Sequence, residues 1–363
     1  MVRNHMKNIL FIVDSINHGG AGRVVSILAN NFDKKKYNVH ILLLDSSQDN
    51  NSYSTEKHVS VHYLNIDLKK NRDFKTIKYI RKVFIKYRIN VCFAFLTIYA
   101  EYAVVASFFL KTKIVACERN DPNNSPVGKI YRKLRIPLYK MAKIIVCQTQ
   151  DMVNFFPKRI AKKGVVILNP VNPDLPPPYV GTRDNKIVSV GKLSKQKNYP
   201  VALKAFKIFH DAHPNFIYEI YGEGEERKTI EHIIEELKIS DYVFLKGNIV
   251  NPFNQINNAK VFLMTSNYEG LSNALIEAMA LGIPCVCTDH PIGGAKMLIR
   301  NSKNGVLIET GNIEQAAYAL SDLVDNDDKS KELSRNAINI RKELSTGSIV
   351  EQWEALVERL TKK

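Results

Sequence analysis

Glu269-Gly-Leu-Ser-Asn-Ala-Leu-Ile-Glu277 places two carboxylates eight positions apart, bracketing a turn and the start of a helix. The apolar run before it, Val261-Phe-Leu-Met264, predicts a buried strand, so Glu269 falls at that strand's C-terminal end. Ser272 is the expected N-cap, since its hydroxyl can accept from an N–H of the first turn, and residues 274–281 are strong helix formers. In open α/β sheets ligands bind outside the carboxyl ends of strands, where helix N-termini offer N–H groups to anions. One carboxylate at the strand end and a second along the helix suit a phosphate flanked by hydroxyl groups, which is what a nucleotide-sugar presents.

Upstream, short apolar runs at 9–13, 39–44, 91–96, 113–117, 144–147 and 165–168 alternate with helical stretches at 21–32, 74–88, 99–110 and 127–141. Such alternation predicts a parallel, doubly wound sheet. Asn169-Pro-Val-Asn-Pro-Asp-Leu-Pro-Pro-Pro178 breaks the pattern with five prolines in ten residues, too many for a helix or central strand. Strands resume at 187–191, 216–221, 242–245, 261–264 and 284–288, and helices at 329–342 and 348–360 finish the chain. The expected organisation is a Rossmann-like domain over 1–172, a proline-rich linker over 173–185, and a second Rossmann-like domain over 186–345. The last helix, about 346–363, is expected to pack back on the first domain. Clefts between domains are favoured ligand sites.

The 363 residues suffice for two domains of ordinary size, and 45% hydrophobic with 24% charged residues is a globular composition. No apolar run approaches the roughly 20 residues that span a bilayer. The run 9–13 ends at Asp14 and reads as a first strand rather than a signal peptide, with Met6 an alternative start. The five cysteines include no Cys-x-x-Cys pair and read as buried thiols of a cytoplasmic protein. Residues 1–172 carry +18 and residues 173–363 carry −2, so the whole net charge of +16 belongs to the first half. That asymmetry points to an anionic partner surface, nucleic acid or membrane. Zinc-finger, RNP-like and helix-turn-helix patterns are missing, which argues against nucleic acid.

Three further segments carry chemistry. Asn17-His-Gly-Gly-Ala-Gly-Arg23 follows the first strand, and Gly19 and Gly20 can bring backbone N–H groups close to a phosphate or simply let helix and strand pack. His18 reads as a phosphate or acceptor contact or as an ordinary loop histidine. Gly191-Lys-Leu-Ser-Lys-Gln-Lys-Asn198 offers Lys192 and Lys197 to a diphosphate, or forms a solvated lysine cluster. Tyr221-Gly-Glu-Gly224 has glycines that would let a base or ribose lie against backbone.

Taken in order, these segments with Glu118-Arg-Asn-Asp-Pro122, Asn169-Pro170, Gly293-Gly-Ala and Asn304-Gly-Val-Leu resemble the family-4 retaining glycosyltransferases of the GT-B fold. The resemblance implies that Glu277 holds the ribose hydroxyls of a nucleoside diphosphate. It implies that Glu269 faces the donor sugar, with the N–H groups of Gly270, Leu271, Ser272 and Asn273 on sugar hydroxyls or the β-phosphate. Lys192 and Lys197 would neutralise the diphosphate leaving group, and Gly19 and Gly20 would close its phosphate side from the other domain. Gly222 and Glu223, with Asn248 and Ile249, would border the nucleotide.

Two positions depart from that family's pattern. Lys192 stands where arginine is usual, keeping the charge without the bidentate fork. Where many relatives place a histidine near the donor sugar, this chain has Glu118-Arg119-Asn120-Asp121. Arg119 or Asp121 is expected in that space, unless Glu118 and Arg119 pair to order the loop. Asp325-Asn-Asp327 lies in a polar connection between helices, so no metal and no cofactor beyond the UDP-sugar donor is expected.

The expected reaction is retaining transfer of a hexose or N-acetylhexosamine from a UDP-sugar to a hydroxyl of a polyprenyl-diphosphate-linked glycan. A UDP-sugar epimerase or hydrolase on the same scaffold is the alternative, and a basic nucleic-acid-binding protein a further one. Over 74–88, Ile77, Ile80, Val83, Phe84 and Tyr87 share one side and Lys75, Lys78, Lys82 and Lys86 the other; 129–140 is a second basic stretch. Both are solvated faces or a docking surface, and the latter implies an enzyme peripheral to the anionic inner face of the cell membrane.

Overall fold

The computed structural model describes residues 6–17, 19–44, 53–64, 72–126 and 128–362. The chain divides into two compact units: one runs to Pro170 and takes back the segment from Thr346 onward, and the other is Val171–Ser345.

In the first unit the strands are β1 (Lys7–Val13), β2 (Tyr37–Leu43), β3 (Val59–Tyr63), β4 (Val91–Phe95), β5 (Lys113–Cys117), β6 (Ile144–Cys147) and β7 (Gly164–Val166). They form one parallel sheet in the order β3-β2-β1-β4-β5-β6-β7. The intervening helices are α1 (Gly20–Asn31), α2 (Arg72–Lys86), α3 (Thr97–Ala106), α4 (Lys129–Tyr139), α5 (Gln150–Phe155) and α6 (Lys158–Ala161). The chain winds outward from β1 in both directions, so the switch point lies between β1 and β4. Central strands read as continuous apolar runs because helices cover both faces: β1 buries Ile9 to Val13 and β4 is buried throughout.

The second unit repeats the plan with β8 (Asp184–Val190), α7 (Tyr199–Ala212), β9 (Ile217–Tyr221), α8 (Arg227–Glu236), β10 (Val243–Gly247), α9 (Phe253–Ile256), β11 (Ala259–Met264) and α10 (Asn273–Ala280). It continues through β12 (Cys285–Thr288), a 3₁₀ turn (Pro291–Gly293), α11 (Gly294–Leu298), β13 (Val306–Ile308), α12 (Ile313–Asp325), α13 (Asp327–Ala337) and α14 (Ile340–Glu343). Its parallel sheet has the order β10-β9-β8-β11-β12-β13, with the switch point between β8 and β11.

The last helix, α15 (Thr346–Thr361), belongs to the first unit, where Trp353 is fully buried against Phe93 (5.1 Å between ring centroids) and Phe95 (5.7 Å). The proline-rich segment is tied to the second unit: Val171 N donates to Leu344 O at 2.8 Å, and the Arg341 guanidinium donates to Pro176 O. The single helix expected over 329–342 is two, parted at residues 338–339, where Asn339, a residue type that favours caps over helix interiors, is the N-cap of the second. Strands β3 and β13 add to the expected set; both lie at sheet edges, where burial no longer imposes a long apolar run.

Candidate functional site

Two loops leave the second unit's sheet on either side of its switch point, residues 191–198 after β8 and 265–272 after β11. They are sewn together by Asn267 N donating to Gln196 O (2.8 Å), Asn267 Nδ2 to Lys195 O (3.0 Å), Asn198 Nδ2 to Asn267 Oδ1 (2.9 Å) and Thr265 Oγ1 to Asn198 O (3.1 Å). Across this seam Lys197 Nζ meets Glu269 Oε1 at 2.6 Å, with side-chain exposures of only 15% and 11%. Ser266 Oγ donates to the same carboxylate oxygen at 3.2 Å. Lys197 and Glu269, 72 positions apart in sequence, are thus a buried ion pair at the sheet's carboxyl edge.

Lys192 is mostly exposed and pairs with Glu225 at 2.8 Å, a contact that pulls the Glu225 carboxyl below the usual range. The two lysines are therefore held by two different carboxylates rather than by each other's surroundings. Ser272 caps α10 by accepting from Leu275 N at 3.4 Å, and Glu277 lies buried on that helix. Gly270, Leu271 and Ser272 are buried and Asn273 half-buried.

The glycines of the site have separate reasons. A Cβ on Gly222 would fall 2.0 Å from Gly191 O, and one on Gly224 would fall 2.2 Å from Leu193 O. These two positions let the β9 exit press against the β8 exit, an intramolecular need distinct from approach of a base. Glu223 is exposed and paired with Arg227; Asn248 and Ile249 follow β10 at the sheet's edge. A Cβ on Gly294 would fall 1.7 Å from Gly270 O, so the start of α11 seats the loop that carries Glu269.

Sequence reading passed over His290, which follows β12. The imidazole is 2% exposed, and burial holds its pKa below the ordinary value against the raising effects of the Pro291 carbonyl and Glu269. A lone histidine between Asp289 and Pro291 carries no sequence signal of its position; only the fold brings it to Gly294 and Gly270.

In the first unit, Gly19 has φ +90° with open space around it and precedes the first residue of α1, Gly20. Gly22 is the packing glycine of that turn, since a Cβ there would meet Ser15 O at 2.1 Å. His18 lies outside the described residues. After β5, the expected alternative of a Glu118–Arg119 pair is not what forms. Glu118 is buried and accepts from Thr97 Oγ1 (3.0 Å) and from the Tyr139 hydroxyl, with burial raising its pKa against those bonds and Arg135. Arg119 turns the other way, donating to Asn169 Oδ1 (3.2 Å) with its guanidinium 4.4 Å from the Phe95 ring and 5.3 Å from Trp353. Asp121 spends its carboxylate on its own loop, accepting from Asn123 N (2.9 Å), Asn123 Nδ2 (3.0 Å) and Asn124 Nδ2 (2.7 Å).

Asp325 and Asp327 are engaged with His213 and with Lys260 and Lys331. Among the described residues no group of three or more His, Cys, Asp and Glu side chains is arranged to hold a metal ion. No helix among them is long and apolar enough to cross a membrane. All five cysteines are buried free thiols.

Comparison with known proteins matches residues 178–340 to the glycosyl transferases group 1 and residues 18–175 to glycosyltransferase family 4. The chain is 28% identical over 362 residues to the N-acetylgalactosamine-N,N'-diacetylbacillosaminyl-diphospho-undecaprenol 4-alpha-N-acetylgalactosaminyltransferase of Campylobacter jejuni, covering 93% of this chain and 95% of that one. It is 32% identical over 168 residues to the poly(glycerol-phosphate) alpha-glucosyltransferase of Bacillus subtilis, where the match spans 46% of this chain and a quarter (25%) of the relative. Anabaena HepE, solved in complex with UDP and glucose, has the same fold, with a TM-score of 0.83 over 98% of this chain and 100% of that one at 18% identity. Two Rossmann-like units, each matched by its own half of the family, make this chain a GT-B glycosyltransferase of the group 1 and family 4 type.

Proposed function

We propose that the enzyme transfers a hexose or N-acetylhexosamine from a UDP-sugar, with retention of configuration and without a required metal, to a hydroxyl of a lipid-linked glycan. The observation that carries this reading is the buried Lys197–Glu269 pair at the switch point, with Glu277 on the helix that follows. Lys197 and Lys192 neutralise the diphosphate as it departs, doing by fixed positive charge what a divalent cation does elsewhere. Glu277 holds the ribose hydroxyls, and Glu269 faces the sugar with the backbone of Gly270 to Asn273. Gly222, Glu223, Asn248 and Ile249 border the base side. The departing phosphate takes the acceptor's proton on the same face. Within the first unit, Arg119, Gly19 and Gly20 are substrate-contact residues, and Asp121 acts through the order it gives its loop. The UDP bound in the HepE structure supports the donor, and the diphospho-undecaprenol-linked glycan of the Campylobacter relative supports the acceptor class.

Glu277→Ala tests the assignment: UDP affinity is expected to fall at least tenfold, about 1.4 kcal/mol, and unchanged donor affinity would remove it. The anomeric configuration of the product, read by NMR, tests retention.

The basic first unit supports docking to an anionic bilayer. On α4 and just beyond it Ile130, Leu134 and Met141 are 71%, 44% and 55% exposed among the exposed Lys129, Arg132, Lys133 and Lys140. Arg135 does not join them; it is buried and donates to Pro122 O and Ser125 O. Each basic residue near such a surface contributes about 1 kcal/mol. Co-sedimentation with phosphatidylglycerol vesicles is expected at low salt and lost on Ile130→Asp with Leu134→Asp; wild-type protein that stays in the supernatant would sink the idea.

A further inference from the structure

His290 Nδ1 lies 3.1 Å from the Pro291 carbonyl oxygen, which can only accept, so Nδ1 carries the hydrogen and Nε2 the lone pair. That Nε2 is buried with no hydrogen-bond partner among the described residues. The ring lies beside Gly294, where an added Cβ would fall 3.2 Å from its Cε1 and 1.7 Å from Gly270 O of the Glu269 loop. Three charged groups act on the ring. Glu269 and Asp289 favour its protonation, Lys197 opposes it, and burial outweighs them all.

Bringing a diphosphate to this site changes that balance in one direction. The Lys197 ammonium, now committed to Glu269 at 2.6 Å, must be shared with or ceded to phosphate oxygens. A carboxylate that is 11% exposed and loses its cation keeps a desolvated charge, which is costly unless a second positive charge forms nearby. His290, whose protonation Glu269 favours, keeps a buried, unpartnered lone pair on Nε2 that can take up such a charge.

We propose that His290 is a positioning residue that takes up a proton at Nε2 when a nucleoside diphosphate draws Lys197 from Glu269, so that Glu269 stays ionised and oriented toward the sugar. The proton comes from solvent and returns to it when the nucleotide leaves; no covalent bond of the protein changes. The inference rests on the reading of Lys197 as a diphosphate ligand. Its signature is linkage: affinity for the nucleotide falls as pH rises through the imidazole's range, because the complex binds more protons than the free protein.

The test is calorimetric titration of the full chain with UDP in two buffers of different ionisation enthalpy, from about pH 6 to about pH 8. Wild type is compared with His290→Asn, which keeps an N–H for the Pro291 carbonyl and has no basic nitrogen. Their difference cancels protons that the nucleotide itself gains or loses. Wild type is expected to take up a larger fraction of a proton than the variant, and its affinity to fall more steeply with pH, by at most tenfold per unit for one proton. Equal proton uptake and parallel pH profiles would overturn the proposal. Lys197→Ala separates the two levels: undiminished UDP affinity there would refute the diphosphate reading itself. Should the asparagine variant fail to fold, ring-nitrogen NMR of the wild type decides, since one buried histidine of the nine must titrate higher with UDP than without; none doing so would also overturn it.

Discussion

Lys197→Ala removes a cation 2.6 Å from Glu269 and leaves that carboxylate with the Ser266 hydroxyl at 3.2 Å. Stripping one partner from a fully buried pair costs about 3–5 kcal/mol, because the survivor's charge stays desolvated. The residual exposures of 15% and 11% let some water reach the survivor, which lowers the expected cost to about 2–3 kcal/mol. For a unit of this size that is a fall in melting temperature of about 4–12 °C. Glu269→Gln alone is expected to cost less, since the lysine can swing toward solvent. The double variant should recover part of the loss, giving a coupling of about 1–2 kcal/mol in a double-mutant cycle. Differential scanning calorimetry measures all four proteins, with and without UDP. At a concentration a hundred times the dissociation constant, ligand stabilises by about 2.7 kcal/mol, and a tenfold weaker site halves that. Coupling below about 0.5 kcal/mol, together with an unchanged UDP-induced shift in Lys197→Ala, would refute both the energetic and the functional reading of the pair.

Two further outcomes follow from the geometry. Gly294→Ala, whose Cβ would sit 1.7 Å from Gly270 O, is expected to cost about 3 kcal/mol and to abolish UDP stabilisation in calorimetry, whereas Gly347→Ala in α15, with nothing within 4 Å, should be neutral or slightly stabilising. Glu101, buried on α3 beside Glu118 and Arg135, has its pKa raised to about 8, chiefly by burial, from 4.5. The native state therefore holds a proton that the unfolded chain sheds, and stability falls as pH rises between those values. The advantage of Glu101→Gln over wild type should grow from about pH 4.5 to about pH 8 and then level off in urea titrations; an advantage independent of pH would contradict this.

The parallel sheets were legible because central strands such as β1 and β4 are buried on both faces and must be apolar throughout. Edge strands escaped for the converse reason: β3 mixes Ser60 and His62 into a half-buried ribbon. The Ser272 cap and its helix were readable since capping is local chemistry. What the sequence could not disclose was who pairs with whom. Lys192 and Lys197 look alike in a lysine-rich loop, yet one meets Glu225 at the surface and the other Glu269 in the interior. The glycines of Tyr221-Gly-Glu-Gly224 looked like room for a ligand, and at Gly222 and Gly224 they are room for the neighbouring backbone. His290 was invisible because its surroundings come from three separate loops.

The return of α15 to the first unit has a consequence for synthesis. Phe93 and Phe95 are made early, but the indole that covers them, at Trp353, leaves the ribosome only after all of the second unit. The nascent first sheet therefore waits with part of its apolar face uncovered while 175 residues, 171 through 345, are added and can fold. The first unit can complete its core only once the whole chain has been made, and a shortened C-terminus would strike a domain whose other residues were translated first.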